Sequence, residues 1–267
     1  MAHKALMGGT VYEKYGGADL VGGTVYKKDY GKSVVGGTAY EVGFVPSFAD
    51  FTWEEIITAC QNRTIPDTWE VGDQKAMTIN GTEYLIDIIG KNHDAYADGS
   101  GIAPLTFQFH HVTNDAYRMN DYYDSSLNGS NAGGYDSSDM HTKHLPGILA
   151  LMPTAVQNAI KQVNKKASAG GTSSTIETIP CKLFLLAEIE VFGKVTRSVS
   201  GEGSQYSYYA NGGGKTKSTT SGAKKTQWLR SPDANTTTNF CMVNTMNGSG
   251  EADSYYNKCN VAPAFCF

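Results

Sequence analysis

The apolar-rich runs of residues 75–79 and 83–89 are β-prone, and Asn80-Gly81 falls between them. This predicts a β-hairpin, because both turn residues tolerate the positive φ that a tight two-residue turn needs. Residues 105–112 (LTFQFHHV) alternate apolar and polar positions and predict a strand. Elsewhere the rhythm is helical. Thr52-Trp53-Glu54-Glu55 forms a capping box, predicting a helix that runs to about Cys60 with Ile56, Ile57 and Cys60 inward. Ile65-Pro66-Asp67 breaks the chain after that helix and predicts a domain boundary. A second helix starts at Asp136-Ser137-Ser138-Asp139, with Met140, His144 and Leu145 on one face, and Pro146-Gly147 should interrupt it. A third begins at Pro153 and continues through Val156 and Ile160. From Val163 the pattern turns strand-like, and residues 170–174 read as a loop. The wholly apolar Leu183-Phe184-Leu185-Leu186 reads as a short strand fit for a central position.

The first forty-odd residues carry a repeat. Gly8-Gly9-Thr10-Val11-Tyr12 returns as Gly22-Gly23-Thr24-Val25-Tyr26 and again as Gly36-Gly37-Thr38-Ala39-Tyr40. Each unit reads as a Gly-Gly turn followed by a short strand, and a unit so short needs neighbours to bury an apolar face. The repeats therefore predict a docking or oligomerising β module rather than a loose arm. At the other end, residues 228–267 hold a polar middle between two apolar anchors, with Trp228 and Leu229 on one side and Val261, Phe265 and Phe267 on the other. The middle is rich in Asn, Ser, Thr, Gly and Tyr, the mixture that serves paratopes, where Tyr gives rigid contact area and Ser, Asn and Gly give adaptable hydrogen bonds. It predicts a binding face made of Asp233, Asn235, Thr237, Asn239, Asn244, Met246, Tyr255, Tyr256, Asn257 and Lys258. A second polar stretch, residues 198–226, is long enough to be functional, and Tyr206, Tyr208 and Tyr209 mark it as such; its lysines, Lys215, Lys217, Lys224 and Lys225, read as a solvated loop.

Composition narrows the function. With 22 basic and 26 acidic residues the 267-residue chain has no electrostatic footprint for nucleic acid. Thirty glycines and sixteen tyrosines favour β structure and loops over a helical bundle. The opening MAHKALMGGT has no apolar h-region, so no secretory signal is expected, and residues 145–156 form an apolar run too short to insert in a membrane. The five cysteines (Cys60, Cys181, Cys241, Cys259, Cys266) have no CxxC spacing; buried free thiols are expected, with one disulfide among the last three as the alternative. His110 and His111 face opposite sides of a strand and His141 and His144 lie in a different segment, so no metal site is expected. The loop from His93 to Gly101 lacks the spacing and distal Glu of an EF-hand and reads as an Asx-rich turn. Lys258 beside Cys259 is the basic neighbour that could be nominated to activate a thiol. Neither a catalytic residue nor a cofactor is expected.

Several blocks occur in order: residues 133–140 (GGYDSSDM), Leu151-Met152-Pro153, residues 160–166 (IKQVNKK), residues 182–193 (KLFLLAEIEVFG), residues 201–206 (GEGSQY), Trp228-Leu229-Arg230-Ser231-Pro232 and Pro263-Ala264-Phe265. Together they resemble a domain family common in phage and prophage proteins of gut bacteria, over roughly residues 69–267. The resemblance implies an α+β, C-type-lectin-like fold of the kind also used by the formylglycine-generating enzyme. It implies kinship with the variable proteins of diversity-generating retroelements, in which Asn-type codons are randomised on a fixed scaffold. The GGTxY repeats are similar to those at the N-termini of phage tail-associated proteins. The expectation is thus a repeat module over residues 1–45, a helix and linker over 46–68, and a ligand-binding domain over 69–267. A phage-type receptor-binding or tail-tip protein is implied, located in the virion or encoded by a prophage, and non-enzymatic. Its partners would be a bacterial-surface protein or glycan, other tail proteins, and further copies of itself, such as in a trimer. The alternatives are a structural tail or decoration protein without its own ligand, and an oxidase like the formylglycine-generating enzyme. One departure stands out: the family tends to carry an arginine where this chain has Ala262, so an internal salt bridge there would need Arg230 or Arg197 instead.

Overall fold

The computed structural model describes residues 46–121 and 130–267 in full and, before them, the backbone of residues 4–7, 10–13, 19–21, 24–35 and 38–41. The chain divides into two compact units, Met1–Ser47 and Phe48–Phe267. Among its described residues the first has five antiparallel strands: β1 (Lys4–Met7), β2 (Thr10–Glu13), β3 (Asp19–Val21), β4 (Thr24–Val35) and β5 (Thr38–Glu41). The long β4 pairs with β2, β3 and β5, and β2 also pairs with β1. Thr10, Thr24 and Thr38, the residue after each Gly pair, each open a strand, so the repeated unit does start a strand three times. The expected Gly-Gly turns lie outside the described residues.

The second unit mixes helix and strand, an α+β arrangement. It opens with a 3-10 turn, Phe48–Asp50, and α1 (Trp53–Asn62). The capping box forms as expected: the Glu55 amide donates to the Thr52 hydroxyl (3.2 Å) and the Thr52 amide to the Glu55 carboxylate (2.8 Å). Ile56, Ile57 and Cys60 are buried, and Arg63 ends the helix in the left-handed region at φ 56°. The helix is not a linker. Phe48 stacks over Phe107 (6.2 Å) and the Trp53 indole donates to the Ala76 carbonyl (2.9 Å), so the boundary falls between Ser47 and Phe48 rather than near residue 68.

Four strands then build an antiparallel sheet: β6 (Gln74–Ile79), β7 (Thr82–Lys91), β8 (Leu105–Phe109) and, from the far end of the chain, β16 (Ala264–Cys266). Their order across the sheet is β16-β8-β7-β6. Asn80 (φ 47°) and Gly81 (φ 77°) make the turn of the predicted hairpin, with Ile79 opposite Thr82. Phe107 of β8 lies across from Phe265 of β16, their rings stacked at 5.4 Å, and Phe267 closes on Phe107 (5.3 Å) and Trp53 (6.2 Å). The Tyr96 hydroxyl donates to the Phe267 carbonyl (2.5 Å). The two ends of this unit thus meet in one aromatic core.

Between these strands, a π-helical turn (Met140–His144) runs straight into α2 (Leu145–Leu149). Pro146 sits in the first turn of α2, where the π-helical turn gives way to α-helix, and the helix continues through Pro146-Gly147. Then come α3 (Thr154–Ala159), the hairpin of β9 (Val163–Ser168) and β10 (Ile176–Cys181), α4 (Glu188–Phe192), α5 (Ser207–Ala210) and a two-residue pair, β11 (Lys217–Ser218) and β12 (Lys224–Lys225). A meander of β13 (Gln227–Pro232), β14 (Asn239–Val243) and β15 (Gly250–Ser254) forms a second sheet. The apolar Leu183–Leu186 stretch is central but is not a ladder strand. Phe184 exchanges two backbone bonds with Ala264, and Leu186 accepts from the Arg230 amide, so the stretch ties one sheet to the other. Among the described residues no helix is long and apolar enough to cross a membrane.

Because Phe267 is fully buried against Trp53, Phe107 and Phe265, Phe267→Ala should lower the unfolding free energy by about 3–5 kcal/mol, as large cavities at buried aromatics do. Urea titration monitored by tryptophan fluorescence checks this.

Candidate functional site

Arg230, on β13, has no exposure to water, yet every donor of its guanidinium is used. Nε donates to the Lys166 carbonyl (2.9 Å), Nη1 to the Leu185 carbonyl (2.8 Å) and Glu190 (2.6 Å), and Nη2 to Glu190 (2.8 Å) and the Glu202 carbonyl (2.7 Å). Lys165, on β9, places its ammonium between Glu190 (2.8 Å) and Asp94 (2.5 Å) and donates to the Tyr206 hydroxyl (2.9 Å). Asp94 also accepts from Thr106 (2.6 Å) and from Tyr206 (2.8 Å). Gly90 lets the Tyr206 ring in: a Cβ there would lie 2.9 Å from it. His93 stacks on that ring at 3.9 Å.

Burial would raise the Asp94 carboxyl, but Lys165 and the Thr106 hydroxyl hold it down at about 2. Burial likewise opposes Glu190, and Arg230 and then Lys165 bring its pKa below the ordinary value. Glu202 is raised by burial, against the Ser231 hydroxyl and the Ser168 amide. His93, Asp94 and Glu190 bring ligand atoms within 4.8 Å of one another, as a metal site would. The Lys165 ammonium already bridges the two carboxylates, so the place of a cation is filled by the protein itself. This cluster is a charge-balanced interior, and Arg230 is its internal salt-bridge arginine.

The polar stretch around residues 198–226 is not a free loop. Tyr206 and Tyr209 are buried, Tyr209 donating to Gln108 (2.6 Å), so the tyrosines expected on a functional loop instead pin it to the core. Lys217, expected in a solvated loop, is buried as well. Its ammonium donates to the His110 carbonyl (3.2 Å) and lies 3.6 Å from Asp87, which also meets His110 (3.0 Å) and Gln74 (2.8 Å). Burial lowers the Lys217 pKa, and Asp87 opposes the shift. In the 93–101 loop the Ser100 amide donates to Asp98 (2.8 Å), the expected Asx turn, while Asp94 turns inward.

All five cysteines are free and buried. Cys181 does have a histidine neighbour that spacing concealed: its Sγ lies 3.9 Å from His141 Nδ1, and His141 Nε2 lies 3.9 Å from Asp136. Burial nevertheless pushes the Cys181 thiol up to about 12, and does the same to Cys60 and Cys259. Cys241 and Cys266 are raised further, by burial first. A nucleophilic or redox thiol needs a shift in the opposite direction.

The expected contact residues cluster on the loops of the β13-β14-β15 meander and the turn after it. Asn235, Thr237, Met246, Tyr256 and Lys258 are exposed, Met246 to 89%, and Asn239, Asn244 and Asn257 are half-buried. Asp233 and Tyr255 are corrections: both are buried. Asp233 accepts from the amide (2.9 Å) and side chain (3.1 Å) of Asn235 and lies 3.8 Å from Arg197, holding its loop closed. Asn244 and Asn257 also brace loops, the first accepting from the Met246 amide (2.7 Å) and the second donating to Asp253 (2.7 Å). Beside this face lies a groove of about 550 Å³, bounded by Phe192, Lys194, Thr196, residues 212–216 and residues 247–250. Sequence reasoning missed it, because its walls come from three separate segments.

The domain of unknown function DUF6273 matches residues 105–267. The chain belongs to the DUF6273 family. No curated protein and no solved structure matches it. The DUF6273 segment holds Lys165, Glu190, Glu202, Tyr206 and Arg230 together with the exposed loops, whereas Asp94 and Asp87 come from the strands and turns before it.

Replacing Arg230 strands Glu190 in the interior, so Arg230→Met should cost about 3–5 kcal/mol of stability, and adding Glu190→Gln should restore part of it. Equilibrium unfolding of the single and double variants measures this. The folded pKa of Asp94 lies below its unfolded value, so its contribution is complete above about pH 3.8 and is lost as pH falls toward 2. That contribution is about 2 kcal/mol. Glu202, raised, acts in the opposite sense, adding stability at low pH that fades as pH rises through its folded value. Asp94→Asn should therefore flatten the acid limb of the stability curve between pH 3.8 and 2, as read by unfolding at stepped pH.

Proposed function

We propose that this chain is a non-enzymatic, phage-type receptor-binding or tail-tip protein whose C-terminal domain has a C-type-lectin-like fold. The domain presents the loops around Asn235, Thr237, Met246, Tyr256 and Lys258 to a protein or glycan on the bacterial surface. The carrying observation is a contrast of surfaces: exposed polar loops, capped by Met246 and Tyr256, stand on a meander whose first strand, β13, is buried throughout, while β14 is partly buried and β15 half-buried. A flexible thioether and an amphipathic ring on exposed loops are side chains suited to a contact surface. The Asn-, Ser- and Thr-rich loops suit a retroelement-diversified surface, in which composition varies while the buried anchors Trp228, Leu229, Val261, Phe265 and Phe267 stay fixed. The β1–β5 module docks the protein to other tail components or to copies of itself, and the protein is part of the virion or encoded by a prophage.

Thiol oxidation is the weaker reading, since burial drives all five thiol pKa values up rather than down. A purely structural tail role would use Tyr255 and Tyr256 against neighbouring subunits. Tyr255 is instead buried within its own domain, its ring meeting that of Tyr256 edge-on at 5.4 Å.

Met246→Ala combined with Tyr256→Ala should reduce retention on immobilised bacterial-surface fractions by about tenfold or more, the equivalent of one modest hot spot. Unfolding midpoints should stay unchanged, because Met246 is exposed and the Tyr256 ring is not part of the core. Retention equal to that of the wild type removes these loops as the contact face.

A further inference from the structure

The groove beside the exposed loops has a chemistry of its own. Gly248 lies on Thr216, where an added Cβ would come within 3.3 Å of the threonine methyl. The turn of the second sheet therefore seats on the segment before β11. Gly250 sits against the Phe192 ring in the same way, 3.1 Å from where its Cβ would be, so the half-buried ring forms part of the groove wall.

Four side-chain donors around this wall are unspent. The ammonium groups of Lys194 and Lys215 make no ion pair or hydrogen bond among the described residues, and neither do the hydroxyls of Thr196 and Thr216. The acidic side chain of the lining is Glu188: its Oε2 accepts from the amides of Thr196 (3.1 Å), Arg197 (3.1 Å) and Ser198 (2.8 Å) and from the Ser198 hydroxyl (2.8 Å), and its Oε1 from the Arg197 amide (3.2 Å). The groove thus combines two free cations, two free hydroxyls and one aromatic ring, on a chain whose net charge is −4. An aromatic ring packs against the C–H face of a sugar, hydroxyls pair with sugar hydroxyls, and ammonium groups pair with a carboxylate.

We infer that this groove binds an acidic saccharide, a hexuronate unit of a bacterial-surface polysaccharide. The assignment rests on the recognition role proposed above and names the ligand class for the neighbouring groove. Lys194 and Lys215 take the carboxylate, Thr196 and Thr216 the ring hydroxyls, and Phe192 the apolar face of the sugar. Exposed lysines in water gain modest energy from one charge each, so binding should weaken as salt screens them.

Affinity electrophoresis of the full chain in gels containing polygalacturonate, dextran or a single-stranded oligodeoxynucleotide tests the inference. Polygalacturonate should retard the wild type, with less retardation at high salt, and dextran should not. Lys194→Ala with Lys215→Ala should weaken the polygalacturonate interaction about tenfold or more, whereas Lys224→Ala with Lys225→Ala, an equal change of charge on exposed β12, should leave it unchanged. The inference is overturned by absence of retardation, by equal retardation in dextran or the oligonucleotide, or by equal loss in both lysine pairs. Bacterial-surface retention separates this result from the wider reading. Retention that survives Lys194→Ala with Lys215→Ala but is lost with Met246→Ala and Tyr256→Ala refutes the groove and leaves the loops as the recognition surface.

Discussion

A guanidinium shut away from water sets the conditions for the rest of this domain. Arg230 has five N–H donors and five hydrogen bonds, and their acceptors lie on β9, on the Leu183–Leu186 segment, on α4 and at Glu202. Desolvating such a charge costs several kcal/mol, which only a complete partner set offsets. Each of those four segments must therefore be in place at once, and a shift of any one leaves a buried charge unmatched. Lys165 carries the same requirement onward to Asp94 and Tyr206, and so to the turn after β7 and to the residue that opens α5. Net stabilisation from such a network is small beside what its disruption costs, and its larger effect is to select one arrangement of segments over others.

That dependence explains how much of the structure is legible along the chain. The capping box at Thr52, the Asn80-Gly81 hairpin, the β9 strand and the burial of Phe265 and Phe267 arise from residues close in sequence, or from apolar side chains that are buried in any compact fold. Tyr206, Tyr209, Lys217 and Asp94 escape such a reading for a shared reason. Each is polar and flanked by Gly, Ser or Asp, or by other polar residues, so the local pattern says solvent. Its partner, though, is supplied from 71 to 112 residues away in the cases of Lys165–Asp94, Tyr206–Asp94 and Tyr209–Gln108. No window of sequence contains both halves of such a pair. The Leu183–Leu186 stretch differs: its burial is legible, but its neighbours, Ala264 and Arg230, satisfy it one residue at a time instead of as a ladder.

The candidate binding face is legible as a region and blurred as a set of residues. Composition marks the Asn-rich loops, and composition does not distinguish a side chain that holds a loop from one that meets a ligand. Asp233, Asn244 and Asp253 belong to the first kind, each accepting from an amide within two residues of itself or from a nearby side chain. This is the ordinary chemistry of Asx turns, and it accounts for part of the Asn and Asp content without any ligand. Met246 and Tyr256 differ in being large and exposed, which is what the contact role proposed for them requires.

Loops braced in this way have little freedom left to lose, so the ordering cost that weakens most loop-mediated contacts is largely met before a ligand arrives. The same bracing limits the area that one domain can offer, since only a few large side chains project from it. A surface of that size gives weak binding by itself, and rigidity raises it only so far. Repetition is the remaining route: several copies engaged at once turn a weak contact into a long-lived one without any new interaction. Under the function proposed above, the strand module that carries three copies of one short unit would supply multiplicity, and the braced loops of the domain after it would supply specificity.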